Sequence, residues 1–185
     1  ALHKRGYRTA QGAAPLKETL AAGMVRISRW RSNRPFLDPF CGSGTIPIEA
    51  AMLGLNLAPG LRRSFAAEEW QVVPRECWRR AREEARDLAR HDVSLDVAGS
   101  DKDEGTVLET RGNALRAGVG KLVRFDVRDV KDIRPWADFG CIVCNPPYGE
   151  RLGDSDEVAH IYETIRDSFK RFQTWSFFVL TPQRD

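Results

Sequence analysis

Short apolar segments alternate with segments of helical periodicity along the chain, and this alternation constrains the fold more than any other feature. The strands are predicted at 34–38, 94–100, 121–126, 139–144 and 176–181, and the helices at about 14–30, 45–52, 74–90, 104–117 and 155–172. This order is typical of a mostly parallel sheet that is covered on both faces by helices. We therefore predict one α/β domain spanning residues 1–185, with ligands beyond the carboxyl ends of its strands.

Apolar stripes on three of these helices predict which faces are packed. The first helix carries Leu16, Leu20, Met24, Ile27 and Trp30, and the third carries Trp78, Ala81, Ala85 and Leu88. The last helix carries Val158, Ile161, Ile165, Phe169 and Phe172. The stripe of the last helix is expected to lie in the core.

The four cysteines are interpreted as thiols rather than as disulfides or metal ligands. Only Cys141 and Cys144 are closely spaced, and they lie in a predicted buried strand. Residues three apart in a strand point to opposite faces, so this pair is expected to divide between the two sides of the sheet. The histidines at His3, His91 and His160 also lack ligand spacing, and no metal site is predicted.

A glycine-rich turn joins the first predicted strand to the second helix, with the sequence Asp38-Pro39-Phe40-Cys41-Gly42-Ser43-Gly44-Thr45. Glycine lets a ligand approach the backbone closely, and the amides at a helix N-terminus favour a negative group such as a carboxylate. The turn is neither a GxGxxG motif nor a phosphate loop, because no Gly-Lys-Ser/Thr follows. Alone, it is compatible with a ligand site and with an ordinary strand-to-helix turn.

Three acidic residues follow the ends of the next two predicted strands. A carboxylate at Asp101 can accept hydrogen bonds from ribose hydroxyls, and Asp103 is close enough to compete for this role. Asp129 is a candidate to bind the amino group of an adenine. The alternative interpretation is helix capping for Asp101 and Asp103, and a surface loop for Asp129.

The most specific motif is Asn145-Pro146-Pro147-Tyr148, which follows the fourth predicted strand. An exocyclic amine on a nucleic-acid base is a poor nucleophile, because its lone pair is delocalised into the ring. Two acceptors directed at its hydrogens help to localise that lone pair, and the Asn145 side-chain oxygen and the Pro146 carbonyl can supply them. Consecutive prolines hold the backbone, and Tyr148 can stack on a flipped base. The motif therefore predicts methylation of a base amine.

Together, these motifs resemble the amino-methyltransferases that carry an NPPY motif. More narrowly, the segments His3 to Arg8 and Ala14 to Glu18 are similar to the branch of RNA guanine-N2 methyltransferases that usually carry a THUMP domain. The resemblance covers almost the whole chain. It implies a Rossmann-like class I methyltransferase fold, S-adenosylmethionine as the cofactor, and the N2 amine of guanine in ribosomal or transfer RNA as the target.

The same resemblance implies roles for individual residues. The methionine part of the cofactor is expected at Asp38, Phe40, Gly42, Ser43, Gly44 and Thr45. The ribose is expected at Asp101 and the adenine at Asp129, with Pro15, Lys17, Glu18 and Asn145 beside the cofactor. The target base is expected at Asn145, Pro146, Pro147 and Tyr148.

Members of this branch are longer than the present chain. A THUMP domain precedes their catalytic domain, and an antiparallel pair of strands follows the strand that corresponds to 176–181. We therefore expect the chain to be a fragment of a longer protein, with the last strands of the sheet missing and with residues 1–13 as a basic arm.

Charge is unevenly distributed along the chain. Residues 1–34 carry eight Lys and Arg against one acidic residue, whereas the net charge of the whole chain is only +3. Such a segment fits either a polyanionic partner or a solvated basic face. We interpret Trp30 as the packed end of a helix, and Arg29, Arg31 and Arg34 as candidate phosphate contacts.

The location and the partners follow from absences and from the motifs. No apolar run is long enough to cross a bilayer and no signal-peptide pattern opens the chain, so we expect no membrane association and a cytoplasmic location. RNA is the expected partner, and the sequence does not indicate an oligomeric state.

Two other functions are compatible with the motifs. The NPPY tetrapeptide also serves adenine-N6 methylation of DNA, although the early string Lys4-Arg5-Gly6-Tyr7-Arg8 favours RNA. The other alternative is a binding module that keeps the fold without catalysis, although the intact motif from Asn145 to Tyr148 favours an enzyme.

Overall fold

The computed structural model of the protein describes residues 4–8, 16–147 and 155–181, and helices alternate with strands along them. The helices are α1 (Glu18–Ile27), α2 (Thr45–Gly54), α3 (Arg75–Asp87), α4 (Glu104–Ala117) and α5 (Ser155–Phe169). The strands are β1 (Phe36–Asp38), β2 (Val97–Asp101), β3 (Val123–Val127), β4 (Cys141–Cys144) and β5 (Ser176–Val179). Short 3-10 helices lie at Ala66–Glu69 and Val130–Asp132.

The described strands form one parallel sheet in the order β3-β2-β1-β4-β5. The chain winds outward from β1 to β3 and then crosses back to β4, so β1 and β4 flank the point where the winding reverses. Ligands of doubly wound sheets bind beyond the carboxyl ends of the strands at such a point. The predicted α/β architecture with a parallel central sheet is therefore confirmed.

Helices cover both faces of the sheet, as predicted. One apolar cluster joins α1, α2 and α4 to the first face, and it contains Cys141. The second cluster joins α5 to the opposite face, and it contains Cys144. Alternation along β4 places the two thiols on opposite sides, and all four cysteines are free.

Local turn chemistry sets several element boundaries. Helix α4 has the predicted bounds, and Gly118 closes it with a φ of +82°, a left-handed conformation that suits glycine. Strand β4 begins two residues later than predicted, because Phe139 has a φ of +58° and Gly140 packs directly against the indole of Trp175.

The apolar stripe of the first helix is only partly buried, because Leu16, Met24 and Trp30 pack against the core. Leu20 and Ile27 are exposed, whereas Glu18, Ala21 and Val25 are buried. The helix packs closely against α2 through small side chains, and an arginine from elsewhere in the chain compensates the buried carboxylate of Glu18. The prediction that Trp30 is a packed residue is confirmed, although it lies beyond the end of α1.

The apolar stripe of α3 is not buried. No residue of α3 is buried, and Leu88 just beyond its end is exposed. The helix lies outside the two layers, where Trp78 stacks on Phe65 and Arg82 pairs with Glu68. None of the described helices is long and apolar enough to cross a membrane.

Candidate active site

The glycine-rich turn begins at Asp38, the last residue of β1. The Asp38 carboxylate is buried, and its Oδ1 accepts a hydrogen bond of 3.0 Å from the amide of Phe40. Burial raises the pKa of Asp38 to about 8, and the negative charge of Asp101 acts in the same direction. The turn is therefore built around a carboxyl group that is far from water and close to a second carboxylate.

The rest of the turn is anchored to β2 and α4. The amide of Cys41 donates to the carbonyl of Ser100 at 2.9 Å. The Thr110 hydroxyl donates to the carbonyl of Gly42, and the side-chain amide of Asn113 donates to the carbonyl of Ser43 at 2.9 Å. These contacts hold the turn at the N-terminus of α2, where backbone amides are free to meet a ligand.

Gly44 shows why glycine is required in this turn. Its φ is +80°, and a Cβ at this position would lie only 2.6 Å from Cγ2 of Thr110. Thr110 and Asn113 were not among the site residues predicted from sequence. The signal was two polar residues three apart in α4, on the face that also carries the buried Val107 and Ala114.

Asp101 connects the glycine turn to the start of α4. Its Oδ2 accepts from the amide of Gly42 and its Oδ1 from the amide of Asp103, each at 3.1 Å. Asp103 is instead the N-cap of α4, because it accepts a hydrogen bond of 2.6 Å from the amide of Thr106. Of the two carboxylates, Asp101 lines the cleft described below and Asp103 does not.

Asn145 follows β4, the strand that pairs with β1. Its side-chain oxygen Oδ1 is buried, and it has no hydrogen-bond partner among the described residues. A buried acceptor without a partner costs on the order of 1–3 kcal/mol, so such groups are few in native proteins, and one at the wall of a cleft is a candidate ligand contact. Pro146 is buried beside it, and Tyr148 lies outside the described residues.

A cleft of about 390 Å³ brings several of these features together at the carboxyl edge of the sheet. Of the predicted site residues, those that line it are Phe40, Gly42, Asp101, Asp129, Asn145 and Pro147. Five other predicted site residues neighbour the lining residues along the chain but do not line the cleft themselves: Asp38, Ser43, Gly44, Thr45 and Pro146.

Further residues of the cleft were not among the predicted site residues. Lys102, Arg128 and Lys131 bring positive charge to its wall, and His160 and Thr164 approach from α5. The sequence offered only a weak signal for them, since the basic residues immediately follow the predicted strand ends or flank Asp129. Asp129 itself lines the cleft and also caps the 3-10 helix, accepting from the amide of Lys131 at 3.0 Å.

The described residues of the predicted segment from Pro15 to Glu18 do not line the cleft. Pro15 lies outside the described residues, and Lys17 is exposed at the start of α1. Glu18 is buried and forms an ion pair of 3.5 Å with Arg8, which also donates to the carbonyl of Leu16 at 2.8 Å. Neither Lys17 nor Glu18 lines the cleft.

Residues 4–8 of the predicted basic arm are packed against the domain. Tyr7 is buried, and its hydroxyl donates to Oε1 of Glu49 at 3.1 Å. Arg5 pairs with the same carboxylate at 3.4 Å. Two of the N-terminal arginines, Arg5 and Arg8, are thus compensated by buried carboxylates inside the protein.

Among the other candidate phosphate contacts, Arg34 is held within the fold. Its guanidinium donates to the carbonyls of Phe139 and Gly140. Arg29 and Arg31 are exposed and remain candidates. No cluster of three His, Cys, Asp or Glu side chains suited to a metal ion occurs in the described part of the chain.

We expect Asp38 to make the folded state less stable as pH rises from about 5 to 8. Its folded-state pKa of about 8 lies above its ordinary value of 3.8, so over this range the folded state keeps a proton that the unfolded chain has lost. Each rise of one pH unit in this window then lowers the free energy of unfolding by up to about 1.4 kcal/mol.

The test compares the wild type with Asp38→Asn, which keeps an acceptor for the Phe40 amide and cannot ionise. As pH rises through this window, the thermal unfolding midpoint of the wild type should fall relative to that of the variant. Parallel pH profiles for the two proteins would show that Asp38 has no raised pKa.

Comparison with known proteins places this site in a family. A family model described as "RMKL-like, methyltransferase domain" matches residues 5–185. The chain belongs to this family. In Bacillus subtilis, the protein named "Putative RNA methyltransferase YpsC" is 48% identical over 180 residues, which are 97% of this chain and 47% of that protein.

Other members of the RMKL-like family extend the comparison. The "Ribosomal RNA large subunit methyltransferase K/L" of Psychromonas ingrahamii is 43% identical over 182 residues, which are 95% of this chain and 24% of that protein. The chain thus spans about half or less of the length of these relatives.

Two solved structures of such relatives share the fold closely. A "predicted N6-adenine-specific DNA methylase" from Listeria monocytogenes superposes with a TM-score of 0.93 at 48% identity, covering 99% of this chain and 48% of that one. "SMU.472, a putative methyltransferase complexed with SAH" superposes with a TM-score of 0.94 at 43% identity, covering 100% of this chain and 48% of that one. The predicted Rossmann-like class I methyltransferase fold is therefore confirmed.

Proposed function

We propose that this chain is the catalytic domain of an S-adenosylmethionine-dependent methyltransferase that modifies the N2 amine of guanine in ribosomal or transfer RNA. The observation that carries the proposal is the buried Oδ1 of Asn145, an acceptor without a partner in the described structure, at the wall of a cleft. A base amine is a donor that would satisfy it.

The residues of the cleft fit S-adenosylmethionine. Its carboxylate matches the amides of the glycine turn at the N-terminus of α2, and its ribose hydroxyls match the carboxylate of Asp101. The carboxylate of Asp129 lies on the same cleft and matches the adenine amine. The fit agrees with the relative that is complexed with SAH. When bound, S-adenosylmethionine supplies a methyl group that its sulfonium already activates.

The protein's own contribution is mostly positioning. Asn145 Oδ1 and the carbonyl of Pro146 would accept the two hydrogens of the amine and turn its lone pair towards the cofactor. Pro146 and Pro147 lack amide hydrogens and hold this acceptor pair in place. Correct placement of two reacting groups is worth several kcal/mol of a reaction barrier, so a site of this kind can act without a nucleophilic side chain.

Two observations support RNA as the substrate: the names of the Bacillus subtilis and Psychromonas ingrahamii relatives, and the charge of the cleft. Lys102, Arg128 and Lys131 line its wall and suit a phosphate of the target nucleotide. An RNA substrate is also consistent with a cytoplasmic location of the protein. The resemblance of His3 to Arg8 and of Ala14 to Glu18 to the guanine-N2 branch favours guanine over adenine.

A methylation assay on several substrates tests this proposal. The protein would be incubated with labelled methyl donor and ribosomal RNA, transfer RNA or double-stranded DNA, and the digested nucleosides would be identified by mass spectrometry. N2-methylguanosine is the expected product. Transfer to none of the three nucleic acids, with S-adenosylhomocysteine still bound in calorimetry, would instead indicate a binding module without catalysis.

Adenine-N6 methylation of DNA is the second candidate function. The name of the Listeria monocytogenes relative favours it, and the acceptor pair at Asn145 and Pro146 suits either amine. N6-methyladenine in the DNA arm of the same assay, without methylated guanine in RNA, would establish this alternative.

A further inference from the structure

A second cavity, of about 490 Å³, lies at the other end of α2 and α4 from the cleft. Met52 and Ala117, near the C-terminal ends of these helices, line it, whereas the cleft adjoins their N-termini at Gly42 and Asp101. Helix α4 has 14 residues, so it separates the two sites by about 21 Å at 1.5 Å per residue. The second cavity is thus separate from the proposed methylation site.

The titratable side chains that line this cavity are basic: Arg5, Arg62, Arg86, His91 and Arg116, together with the weakly acidic Tyr7. No carboxylate is among the described residues that line it. We call this site the arginine cavity, after its four guanidinium groups. Convergence of several like charges is unfavourable unless a negative ligand or partner compensates it.

Among the described residues, most of this charge has no acidic partner. Arg5 pairs with Glu49, but Arg116 donates to the carbonyl of Tyr7 at 2.8 Å and to Oδ1 of Asn113 at 2.6 Å, which are neutral acceptors. Arg62 donates to the carbonyl of Arg116 at 3.1 Å. These hydrogen bonds orient the guanidinium groups and leave their charges in place.

The remaining lining of the arginine cavity is apolar. Met52 is buried, Leu57 and Leu61 are half-buried, and Pro59 is exposed at the rim. An apolar floor beneath guanidinium groups matches a nucleotide, because its sugar and base can lie on the floor while its phosphate meets the arginines. Arginine suits this role through its planar, bidentate geometry.

We propose that the arginine cavity binds the phosphate backbone of the RNA substrate, about 20 Å from the target base. The identity of the ligand as RNA rests on the proposed function, whereas the anionic character of the ligand follows from the cavity itself. Ribosomal and transfer RNAs are large enough to reach both sites at once. The cavity thereby contributes affinity and orientation, and it leaves the chemistry to the cleft.

The test measures RNA affinity for a cavity variant and a matched control. Arg62→Gln/Arg86→Gln removes two charges from the cavity and spares Arg5 and Arg116, whose bonds hold residues 5–7. Arg75→Gln/Arg80→Gln removes two exposed charges of α3 that do not line it. Fluorescence anisotropy with labelled transfer RNA or a ribosomal RNA fragment would give Kd over a range of salt concentrations.

The cavity variant is expected to bind RNA about tenfold more weakly, and its slope of log K against log salt should be lower by about 2. The control should stay within about twofold of the wild type. Affinity for S-adenosylhomocysteine, measured by calorimetry, should be equal in all three proteins. If Arg62→Gln disturbs folding, Arg86→Gln alone should weaken RNA binding about threefold with a slope lower by about 1.

Equal RNA affinity of the cavity variant and the wild type would overturn the inference, and an acidic protein segment would then be the better occupant. An equal loss in the control would also overturn it, because the effect would then follow from total charge. No RNA binding by the wild type would contradict the proposed function instead.

Discussion

The Asn145→Ala variant is expected to transfer methyl groups about 10³-fold more slowly than the wild type. The Asn145 side-chain oxygen Oδ1 is the acceptor that we assign to the target amine. No described group donates a hydrogen bond to it. The glycine turn and Asp101 stay intact, so S-adenosylhomocysteine should bind within about threefold of the wild-type affinity. Single-turnover kinetics and calorimetry measure the two quantities.

The same variant is expected to be more stable than the wild type, by about 1 kcal/mol, because it removes a buried oxygen that has no partner. A gain in stability together with a loss of activity distinguishes a functional residue from a structural one. Chemical denaturation in the absence of ligand measures this difference.

Two further variants act as controls for Asn145. Asn145→Asp keeps an acceptor oxygen at this position and should retain more activity than the alanine variant. Asn33→Ala changes an exposed asparagine away from the cleft and should alter neither rate nor stability. Wild-type turnover in Asn145→Ala would refute the assigned role.

The Asp101→Ala variant is expected to bind S-adenosylhomocysteine about 100-fold more weakly. Two charge-assisted hydrogen bonds to ribose hydroxyls are worth about 3 kcal/mol, which corresponds to this factor. The amides of Gly42 and Asp103 also lose their shared acceptor, so the turn is held less firmly. Calorimetry measures the affinity, and thermal unfolding measures the cost to the fold.

Asp103→Ala is the matched control, because Asp103 is the neighbouring carboxylate that caps α4. Loss of this cap should lower stability by about 1 kcal/mol and leave the affinity for S-adenosylhomocysteine within about threefold. If the two variants weaken binding equally, Asp101 has no special role in holding the ribose.

Several parts of the site were predictable from sequence because they depend on neighbours within a few residues. The glycine turn before Thr45, the bounds of α4 and its closure at Gly118 follow from local backbone chemistry. The opposite faces of Cys141 and Cys144 follow from the alternation of a strand. Parallel strands end at one edge of a sheet, so the convergence of Asp101 and Asn145 on one cleft was also expected.

Only the tertiary structure showed what holds these parts in place. The side chains of Thr110 and Asn113 bind the glycine turn from positions 68 and 70 residues further along the chain. No local pattern identifies such partners, because each bond depends on how α4 is placed against the sheet. The same is true of the arginine cavity, which gathers charges from residues 5 to 116.

The sequence by itself determined the alternation of elements, the parallel sheet and the motifs at its carboxyl edge, because each depends on local periodicity or turn chemistry. The tertiary structure decided which faces are buried and which charges are compensated. In α1, Leu20 and Ile27 belong to the apolar stripe and are exposed, whereas the charged Glu18 is buried. The physical reason is that periodicity reports the preference of a side chain for water, and a distant partner such as Arg8 can reverse that preference.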